Sequence, residues 1–277
     1  MSTKTALVTG ANSGIGLETA RGLATRGYRT ILLCRNAERA ATAEASIQES
    51  VPGAATEILL CDLGLQASVR AAAAELGTRV DRLDVLVNNA GVTLRSPTRT
   101  SEGHDAMLAI NHLGPFLLTN DLRSLLESSK PARVVNVSSN AHKVARTVDL
   151  DHLDAPTNYG VLGFGRYGET KLMNILWTRE LARRLGGTGV TANALHPGGV
   201  RTNLGNPPKP VIAVIGLVLV SPEKGAATSL YLATEPAVEG STGAYWAKCR
   251  RADGQLTSAA RDDELARRLW DASEELV

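Results

Sequence analysis

A regular alternation of short apolar runs with Ala- and Leu-rich helical stretches constrains the fold of this chain more than any other feature. The apolar runs are continuous, which is typical of parallel strands covered by helices on both faces. Strand candidates lie at residues 6–9, 30–34, 57–61, 85–88, 134–138, 190–195 and 244–246, and helical stretches lie at 15–26, 37–49, 69–80, 102–129, 167–185 and 262–276, with a further helix starting near Ser221. This order predicts an α/β protein with a single-domain, doubly wound Rossmann fold, whose mostly parallel, seven-stranded sheet is flanked by helices.

Size and composition are those of one globular domain over residues 1–277. The 277 residues are 43% hydrophobic and 21% charged, and they contain no repeat and no clear linker. A net charge of +2, without a block of Lys and Arg, disfavours a nucleic-acid partner. The longest apolar run, residues 211–220, is much shorter than the roughly 20 residues of a membrane helix, and no signal peptide precedes the first strand candidate. We therefore expect a cytoplasmic protein without a membrane span.

Cysteine and histidine form no disulfide or metal pattern in this sequence. Cys34, Cys61 and Cys249 are widely separated, with no Cys-x-x-Cys or Cys/His spacing. Isolated thiols pack as small hydrophobic groups, so we expect structural cysteines and no metal site. His142 and His196 also lack the spacing of a metal site or a catalytic triad, and structural roles are the favoured interpretation.

A glycine-rich loop follows the first strand candidate directly and opens the first helix. Gly10 permits a tight turn, Gly14 lets the backbone approach a pyrophosphate, and Gly16 lets the helix pack on the strand. The helix N-terminus adds unpaired N–H groups that can bind phosphate. This position between a strand and a helix predicts a dinucleotide site. Its candidate residues are Gly10, Asn12, Ser13, Gly14, Ile15 and Gly16.

The end of the second strand candidate bears on which dinucleotide is bound. NAD-specific Rossmann enzymes carry an acidic residue there that binds the ribose 2′-hydroxyl. This chain instead has Cys34-Arg35-Asn36. The Arg35 guanidinium can bind a 2′-phosphate through charge-assisted hydrogen bonds. A solvated surface arginine is the alternative interpretation, but the pattern favours NADP(H).

Tyr167 and Lys171 form the strongest candidate pair for proton transfer. They are four residues apart in a helical stretch and therefore lie on one face of the helix. A phenol titrates at about pH 10. A nearby cation such as Lys171 favours the phenolate, which lets tyrosine exchange a proton with a substrate oxygen near neutral pH. Ser138 and Ser139 end the fifth strand candidate, and a hydroxyl there can hold the same oxygen.

Asn111 stands four residues before Pro115 in the long helical stretch. Proline has no N–H for the carbonyl four residues earlier, so the Asn111 carbonyl is left free and the helix is expected to kink. A kink without any function is the alternative interpretation.

Together these motifs resemble the short-chain dehydrogenase/reductase family. The glycine spacing, Asn88-Asn89-Ala90-Gly91, the serine pair, the Tyr-x-x-x-Lys pair and a Pro-Gly turn occur in the family's order over roughly residues 5–202. The resemblance implies catalytic roles for Asn111, Ser139, Tyr167 and Lys171, with Ser138 as an alternative to Ser139 and a water held by the Asn111 main-chain carbonyl. It also implies cofactor contacts from Asp62, Leu63, Asn89, Ala90, Gly91, Tyr167, Lys171, Pro197, Gly198 and Thr202.

Within that family the chain is similar to the retinol dehydrogenase-like branch. Segments 138–142, 179–185, 196–198, 230–234 and 266–270 carry this resemblance. It implies a carbonyl reductase or alcohol dehydrogenase that moves a hydride between NADP(H) and an apolar aldehyde, ketone or matching alcohol. Family habit further implies a substrate lid around residues 203–221 and a homodimer or homotetramer. Two alternatives stay open: reduction of a carbon–carbon double bond, and NADP(H) binding without catalysis.

Overall fold

A computed structural model describes residues 3–156, 159–199 and 220–277, which form an α/β fold around one sheet. Its strands are β1 (Thr5–Thr9), β2 (Arg29–Cys34), β3 (Thr56–Leu60), β4 (Val85–Asn88), β5 (Ala132–Val137), β6 (Val190–His196), β7 (Tyr245–Ala247) and β8 (Arg250–Arg251). They lie in the order β3-β2-β1-β4-β5-β6-β7-β8, and each pair except β7–β8 is parallel. The predicted doubly wound Rossmann fold is confirmed. The chain reverses its winding direction between β1 and β4, which makes the carboxyl ends of these strands the expected ligand crevice.

Helices cover both faces of the sheet. They are α1 (Gly14–Thr25), α2 (Ala37–Ser50), α3 (Gln66–Arg79), α4 (Ala106–Leu108), α5 (Gly114–Asp121), α6 (Arg123–Ser128), α7 (Phe164–Arg184), α8 (Pro222–Thr234) and α9 (Asp263–Leu276). Successive strand residues point to opposite faces. Leu7 accordingly packs in the layer of α3, α5 and α7, whereas Ala6 and Val8 pack in the layer of α1, α2 and α8. Burial on both faces explains why the strands are apolar throughout.

The expected count of seven strands was wrong by one, because β8 pairs antiparallel with β7. Lys248 and Cys249 join these two strands, with φ of 52° and 56°. Tight hairpin turns that need positive φ at both central residues usually carry Asn, Asp or Gly. A Lys-Cys pair lacks that signal, so the sequence did not reveal the hairpin.

The helix predicted at residues 102–129 is interrupted twice. It begins as α4 and continues through a π-helical segment, Ala109–Leu113, before α5 starts. The Gly114 N–H bonds the Ala109 carbonyl, five residues back. Pro115 lies in the first turn of α5, where its missing N–H costs little. The predicted kink therefore takes the form of a π-helical turn, a feature that is frequent at functional sites. The second break lies at Leu122, between α5 and α6.

Some predictions fall partly or wholly outside the structure. Thr202, and the predicted lid at 203–221 except for its last two residues, lie outside the described residues. Among the residues that the structure does describe, no helix has both the length and the apolar character to cross a membrane. Cys34, Cys61 and Cys249 carry free thiols, and the first two are buried.

We expect opposite effects from alanine at two helical glycines. A Cβ at Gly114 would lie 2.2 Å from the main-chain oxygen of Leu63, so backbone must shift. Overpacking of this kind lowers the free energy of unfolding by roughly 1–3 kcal/mol.

A Cβ at Gly77 in α3 meets nothing within 4 Å. Alanine there raises the free energy of unfolding by about 0.5–1 kcal/mol, because glycine loses more backbone entropy on folding. Urea unfolding of Gly114→Ala and Gly77→Ala measures both, and equal midpoints would contradict the tight packing of α5.

Candidate active site

A cavity of about 900 Å³ opens at the carboxyl ends of the parallel strands. This volume lies within the range of about 300–1,000 Å³ that is usual for ligand pockets. The walls contain almost every residue that the sequence analysis singled out: Gly10, Asn12, Ser13, Gly14, Ile15, Gly16, Arg35, Asp62, Leu63, Asn89, Ala90, Gly91, Ser139, Tyr167, Lys171, Pro197 and Gly198. Asn111 lies behind the wall, and Thr202 is outside the described residues. The fold therefore gathers motifs that are far apart in sequence.

The glycine loop follows β1 and lines the middle of this cavity, because β1 lies between β2 and β4 in the sheet. Gly10 has a φ of +66°, which favours glycine, and a Cβ at Gly16 would lie 2.3 Å from the Gly10 oxygen. At the start of α1, Ser13 makes no side-chain capping bond, and the first turn contains no acidic residue. The first N–H groups of α1 are thus free of side-chain caps at the cavity wall, where a phosphate can accept hydrogen bonds from them.

Thr9, at the end of β1, connects the glycine loop with the loop after β4. Its hydroxyl oxygen accepts hydrogen bonds from the N–H groups of Asn89 and Ala90, both at 2.9 Å. The Asn89 side-chain amide donates to the Thr9 main-chain oxygen at 2.9 Å. Sequence reasoning missed Thr9, although its place directly before the glycine loop was visible. Thr9 fixes the distance between two walls of the cavity.

Arg35 and Asp62 lie together at one end of the cavity, after β2 and β3. Arg35 Nη1 is 3.7 Å from Asp62 Oδ2, and the arginine side chain is 71% exposed. Asp62 Oδ1 accepts a hydrogen bond from the Gly64 N–H at 2.9 Å, which holds the turn after β3. Arg39, in the first turn of α2, also lines the cavity and was missed by sequence reasoning. Two exposed guanidinium groups therefore border this end.

Two buried cysteines also border that end of the cavity. Burial raises the pKa values of Cys34 and Cys61 to about 11. Both thiols stay protonated near neutral pH, and a thiol is a much weaker nucleophile than a thiolate. These groups suit packing, in line with the structural role expected from the sequence.

Tyr167 and Lys171 lie in the first two turns of α7, on the side that faces the cavity. Lys171 Nζ donates a hydrogen bond to the Val137 carbonyl at 3.0 Å and lies 5.6 Å from the centre of the Tyr167 ring. Burial lowers the pKa of Lys171 to about 8. Burial raises the pKa of Tyr167 to about 12, against a lowering effect of the neighbouring Ser139 side chain. The sequence led us to expect a lowered tyrosine pKa, but burial raises it instead.

The two serines at the end of β5 make different contacts. Ser138 is buried, and its hydroxyl donates to the Lys171 main-chain carbonyl at 2.7 Å. The Ser139 side chain lines the cavity beside Tyr167, and its Oγ accepts a hydrogen bond from the Ala141 N–H at 3.1 Å. Sequence reasoning ranked Ser139 first only by resemblance. The contacts support the same order, since the Ser138 hydroxyl is already used to hold α7.

Asn111 is fully buried in the π-helical segment, and its side chain fastens two neighbouring elements. Its Oδ1 accepts from the Val92 N–H at 2.7 Å, and its Nδ2 donates to the Val92 carbonyl at 2.9 Å. The same Nδ2 donates to Thr170 Oγ1 at 3.1 Å. The side chain thus bonds both the loop after β4 and helix α7, a role that the resemblance did not include.

His142 and His196 lie near the serines but do not line the cavity. Burial lowers the pKa of His196 to about 4 and also lowers the pKa of His142. His196 Nδ1 accepts a hydrogen bond from the Asn140 N–H at 3.3 Å. Both rings are therefore neutral near pH 7 and hold the backbone around Ser139.

Comparisons with known proteins agree with this geometry. The family model for the short chain dehydrogenase matches residues 4–149. Human retinol dehydrogenase 14 is 42% identical over 294 residues, which cover 99% of this chain and 86% of that protein. A crystal structure of an uncharacterized protein from Mycobacterium paratuberculosis has 31% identity and a TM-score of 0.79, covering 99% of this chain and 93% of the other. The RhlG/NADP active-site complex of Pseudomonas aeruginosa has 28% identity and a TM-score of 0.71, and the match covers 88% of this chain and 94% of the other.

We expect Thr9→Val to weaken the cavity wall. Valine has nearly the same shape but cannot accept hydrogen bonds from Asn89 and Ala90, and unsatisfied donors cost roughly 1–3 kcal/mol in the free energy of unfolding. Thr19→Val in α1 is the matched control, because Thr19 Oγ1 is buried without a hydrogen-bond partner among the described residues. Chemical denaturation measures both variants. If Thr19→Val lowers the free energy of unfolding as much as Thr9→Val does, the role assigned to Thr9 is contradicted.

Proposed function

The chain belongs to the short-chain dehydrogenase family, in its retinol dehydrogenase-like branch, and we propose that it is an NADP(H)-dependent oxidoreductase acting on an apolar carbonyl compound or the matching alcohol. One observation carries this proposal. Ser139, Tyr167 and Lys171 line the same wall of a cavity large enough for a dinucleotide, with Lys171 Nζ 5.6 Å from the centre of the Tyr167 ring. A substrate oxygen bound at this wall would be within reach of the Ser139 and Tyr167 hydroxyl groups.

The residues present fit a dinucleotide. The start of α1 lacks a side-chain cap, which leaves its N–H groups free for a pyrophosphate, and Gly16 leaves no space for a Cβ. At Gly91 an added Cβ would lie 3.3 Å from Lys171 Nζ, so the wall beside the reacting groups is also closely packed. The residues that would hold the cofactor are those of the glycine loop with Arg35, Asp62, Leu63, Asn89, Ala90, Gly91, Tyr167, Lys171, Pro197 and Gly198. When bound, the reduced dinucleotide supplies the hydride.

Tyr167 supplies the proton in the direction of reduction. With its pKa raised by burial to about 12, the phenol is protonated near neutral pH and able to donate from its Oη. Ser139 orients the substrate oxygen, since its side chain lines the same cavity wall as the phenol. As the proton leaves, the positive charge of Lys171 stabilises the phenolate. The Asn111 side chain bonds both Val92 and α7 and so holds them in place around these groups.

Apolar side chains border the reacting groups and favour an apolar substrate. Val92, Val144 and Phe164 line the cavity beside Tyr167. The Phe164 ring meets the Tyr167 ring edge-on at 6.1 Å between centroids, and 54% of Phe164 is exposed. Exposed large apolar side chains at a cavity offer surface that a substrate can bury. This supports an aldehyde or ketone with a hydrocarbon or aromatic body.

Arg35 and Arg39 support a preference for NADP(H) over NAD(H). A guanidinium binds a phosphate more strongly than a ribose hydroxyl because both the charge and the fork of N–H donors match. The related Pseudomonas aeruginosa protein was crystallised with NADP. The cytoplasmic location, the homodimer or homotetramer, the single domain over 1–277 and the lid at 203–221 stay predictions.

Oxidation of NADPH in the presence of a panel of apolar aldehydes and ketones tests the reaction class. We expect turnover by the natural sequence, and for Tyr167→Phe a loss in kcat of roughly 10²-fold or more, because the proton donor is gone. Binding of NADPH, followed by its fluorescence, should persist in that variant. Retained turnover in Tyr167→Phe contradicts the assignment. A reduced carbon–carbon double bond among the products, or tight NADPH binding without any turnover, would favour one of the two alternatives.

The serine pair provides a matched comparison within the same assay. Ser139→Ala should lower kcat strongly, because it removes the hydroxyl that faces Tyr167. Ser138→Ala should lower kcat less and mainly reduce the free energy of unfolding, by about 1 kcal/mol for one lost hydrogen bond. If Ser138→Ala lowers kcat more than Ser139→Ala does, Ser138 is the serine that orients the substrate oxygen.

Arginine replacement tests cofactor selection. Arg35→Gln and Arg39→Gln should each raise KM for NADPH and leave KM for NADH nearly unchanged, since only NADPH carries the 2′-phosphate. A charge-assisted hydrogen bond contributes about 1.5–3 kcal/mol, so we expect roughly a 10-fold or greater loss of preference. Arg268→Gln in α9, which makes the same change in net charge away from the cavity, is the control. An unchanged ratio of the two KM values in both cavity variants would refute the assignment.

A further inference from the structure

Arg166, the residue before Tyr167, is completely buried although it carries a charge. Each of three nitrogens of its guanidinium has a partner. Nε donates to Asp105 Oδ1 at 3.0 Å, Nη1 to Glu169 Oε2 at 2.7 Å, and Nη2 to the Leu153 carbonyl at 2.5 Å. A buried charge is tolerated only when it is paired and hydrogen-bonded. The position of this side chain is therefore determined by these three contacts.

The two acidic partners connect Arg166 to different parts of the fold. Glu169 is in the same helix, three residues on, so its ion pair stays within α7. Asp105 precedes α4 and is buried. Its Oδ1 also accepts a hydrogen bond from the Leu108 N–H at 2.9 Å, and its Oδ2 accepts from the Tyr159 hydroxyl at 2.6 Å. The Arg166–Asp105 pair is thus a tertiary link between the start of α7 and the start of α4.

A second link joins the same two segments, four residues further along α7 and six residues beyond Asp105. Asn111 Nδ2 donates to Thr170 Oγ1 at 3.1 Å, and the Thr170 hydroxyl donates to the Tyr167 carbonyl at 2.8 Å. Tyr167 therefore lies between the link made by Arg166 and the link made by Asn111. A shift of the π-helical segment along α7 has to break both links.

We propose that Arg166 is a positioning residue, which through Asp105 holds the Asn111-bearing segment against the first turn of α7 and so fixes Tyr167 relative to Ser139 and Lys171. The proposal rests on the proposed role of Tyr167 as the proton donor. Proton transfer demands placement of the reacting atoms to within a fraction of an ångström. Arg166 itself does not line the cavity, so it acts only through its neighbours.

The two acidic partners allow a matched test. Asp105→Asn and Glu169→Gln each replace a carboxylate beside the same guanidinium by an amide, but only the first weakens the tertiary link. We expect Asp105→Asn and Arg166→Gln to lower kcat by roughly 10- to 100-fold. The Kd for NADPH should stay unchanged, because the glycine loop is untouched. Glu169→Gln should retain kcat. The double variant Asp105→Asn/Arg166→Gln should lose little more than either single variant, since both act through one link. If the loss of kcat in the double variant equals the product of the two single losses, the proposal is overturned.

Hydrogen exchange gives a readout that needs no substrate. The Leu108 amide donates to Asp105 Oδ1, and the Val92 amide donates to Asn111 Oδ1. Hydrogen exchange of both amides should therefore quicken in Asp105→Asn and Arg166→Gln but not in Glu169→Gln. Arg179→Gln, which removes an ion pair between α7 and Asp263, controls for the general loss of a tertiary ion pair.

If the natural sequence turns over no carbonyl compound, the proposed function fails, while hydrogen exchange still decides whether Arg166 is a positioning residue. Equal exchange at Val92 in Asp105→Asn and Glu169→Gln would overturn that role, even where Arg166→Gln does not fold.

Discussion

Two reciprocal hydrogen bonds between the end of β5 and helix α7 hold the candidate site together. Lys171 Nζ donates to the Val137 carbonyl, and the Ser138 hydroxyl donates to the Lys171 carbonyl. All of these groups are buried, so water does not compete for the bonds. The pair fixes the position of α7 relative to the strand end, and Tyr167 and Ser139 line the same cavity wall as a consequence. The links through Asn111 and Arg166 then hold the other side of the same helix turn.

Burial shifts the pKa values of both candidate proton-transfer groups. It raises the pKa of Tyr167 to about 12 and lowers the pKa of Lys171 to about 8. Both shifts have the same origin, because a low-dielectric surrounding disfavours whichever form is charged. The phenol is therefore protonated near neutral pH, while the lysine loses its charge at a pH only slightly above neutral.

Most of the fold could be predicted from local patterns. The first six strands lie within two residues of their predicted bounds, because buried parallel strands are continuous apolar runs that need no knowledge of distant residues. Two features could not be predicted. The β7–β8 hairpin turns at Lys248-Cys249, which have positive φ without the usual residue types, and the long helix at 102–129 is divided by a π-helical segment and a second break at Leu122. In both places tertiary packing overrides the local preference of the chain.

The candidate site divides in the same way between sequence and tertiary structure. The glycine loop, Arg35, Tyr167 and Lys171 were recognisable because each motif acts through spacing along one loop or one helix face, and that spacing is a property of the sequence itself. Thr9, Arg39 and Arg166, and the separate contacts of Ser138 and Ser139, became apparent only in the folded chain. Their partners lie tens of residues away, as for Arg166 and Asp105, and no local period encodes such a pairing. The sequence by itself determined the chemistry that is available. The tertiary structure decided which side chains face the cavity and which hold those groups in place, because hydrogen bonds between distant segments exist only after the sheet and helices have packed.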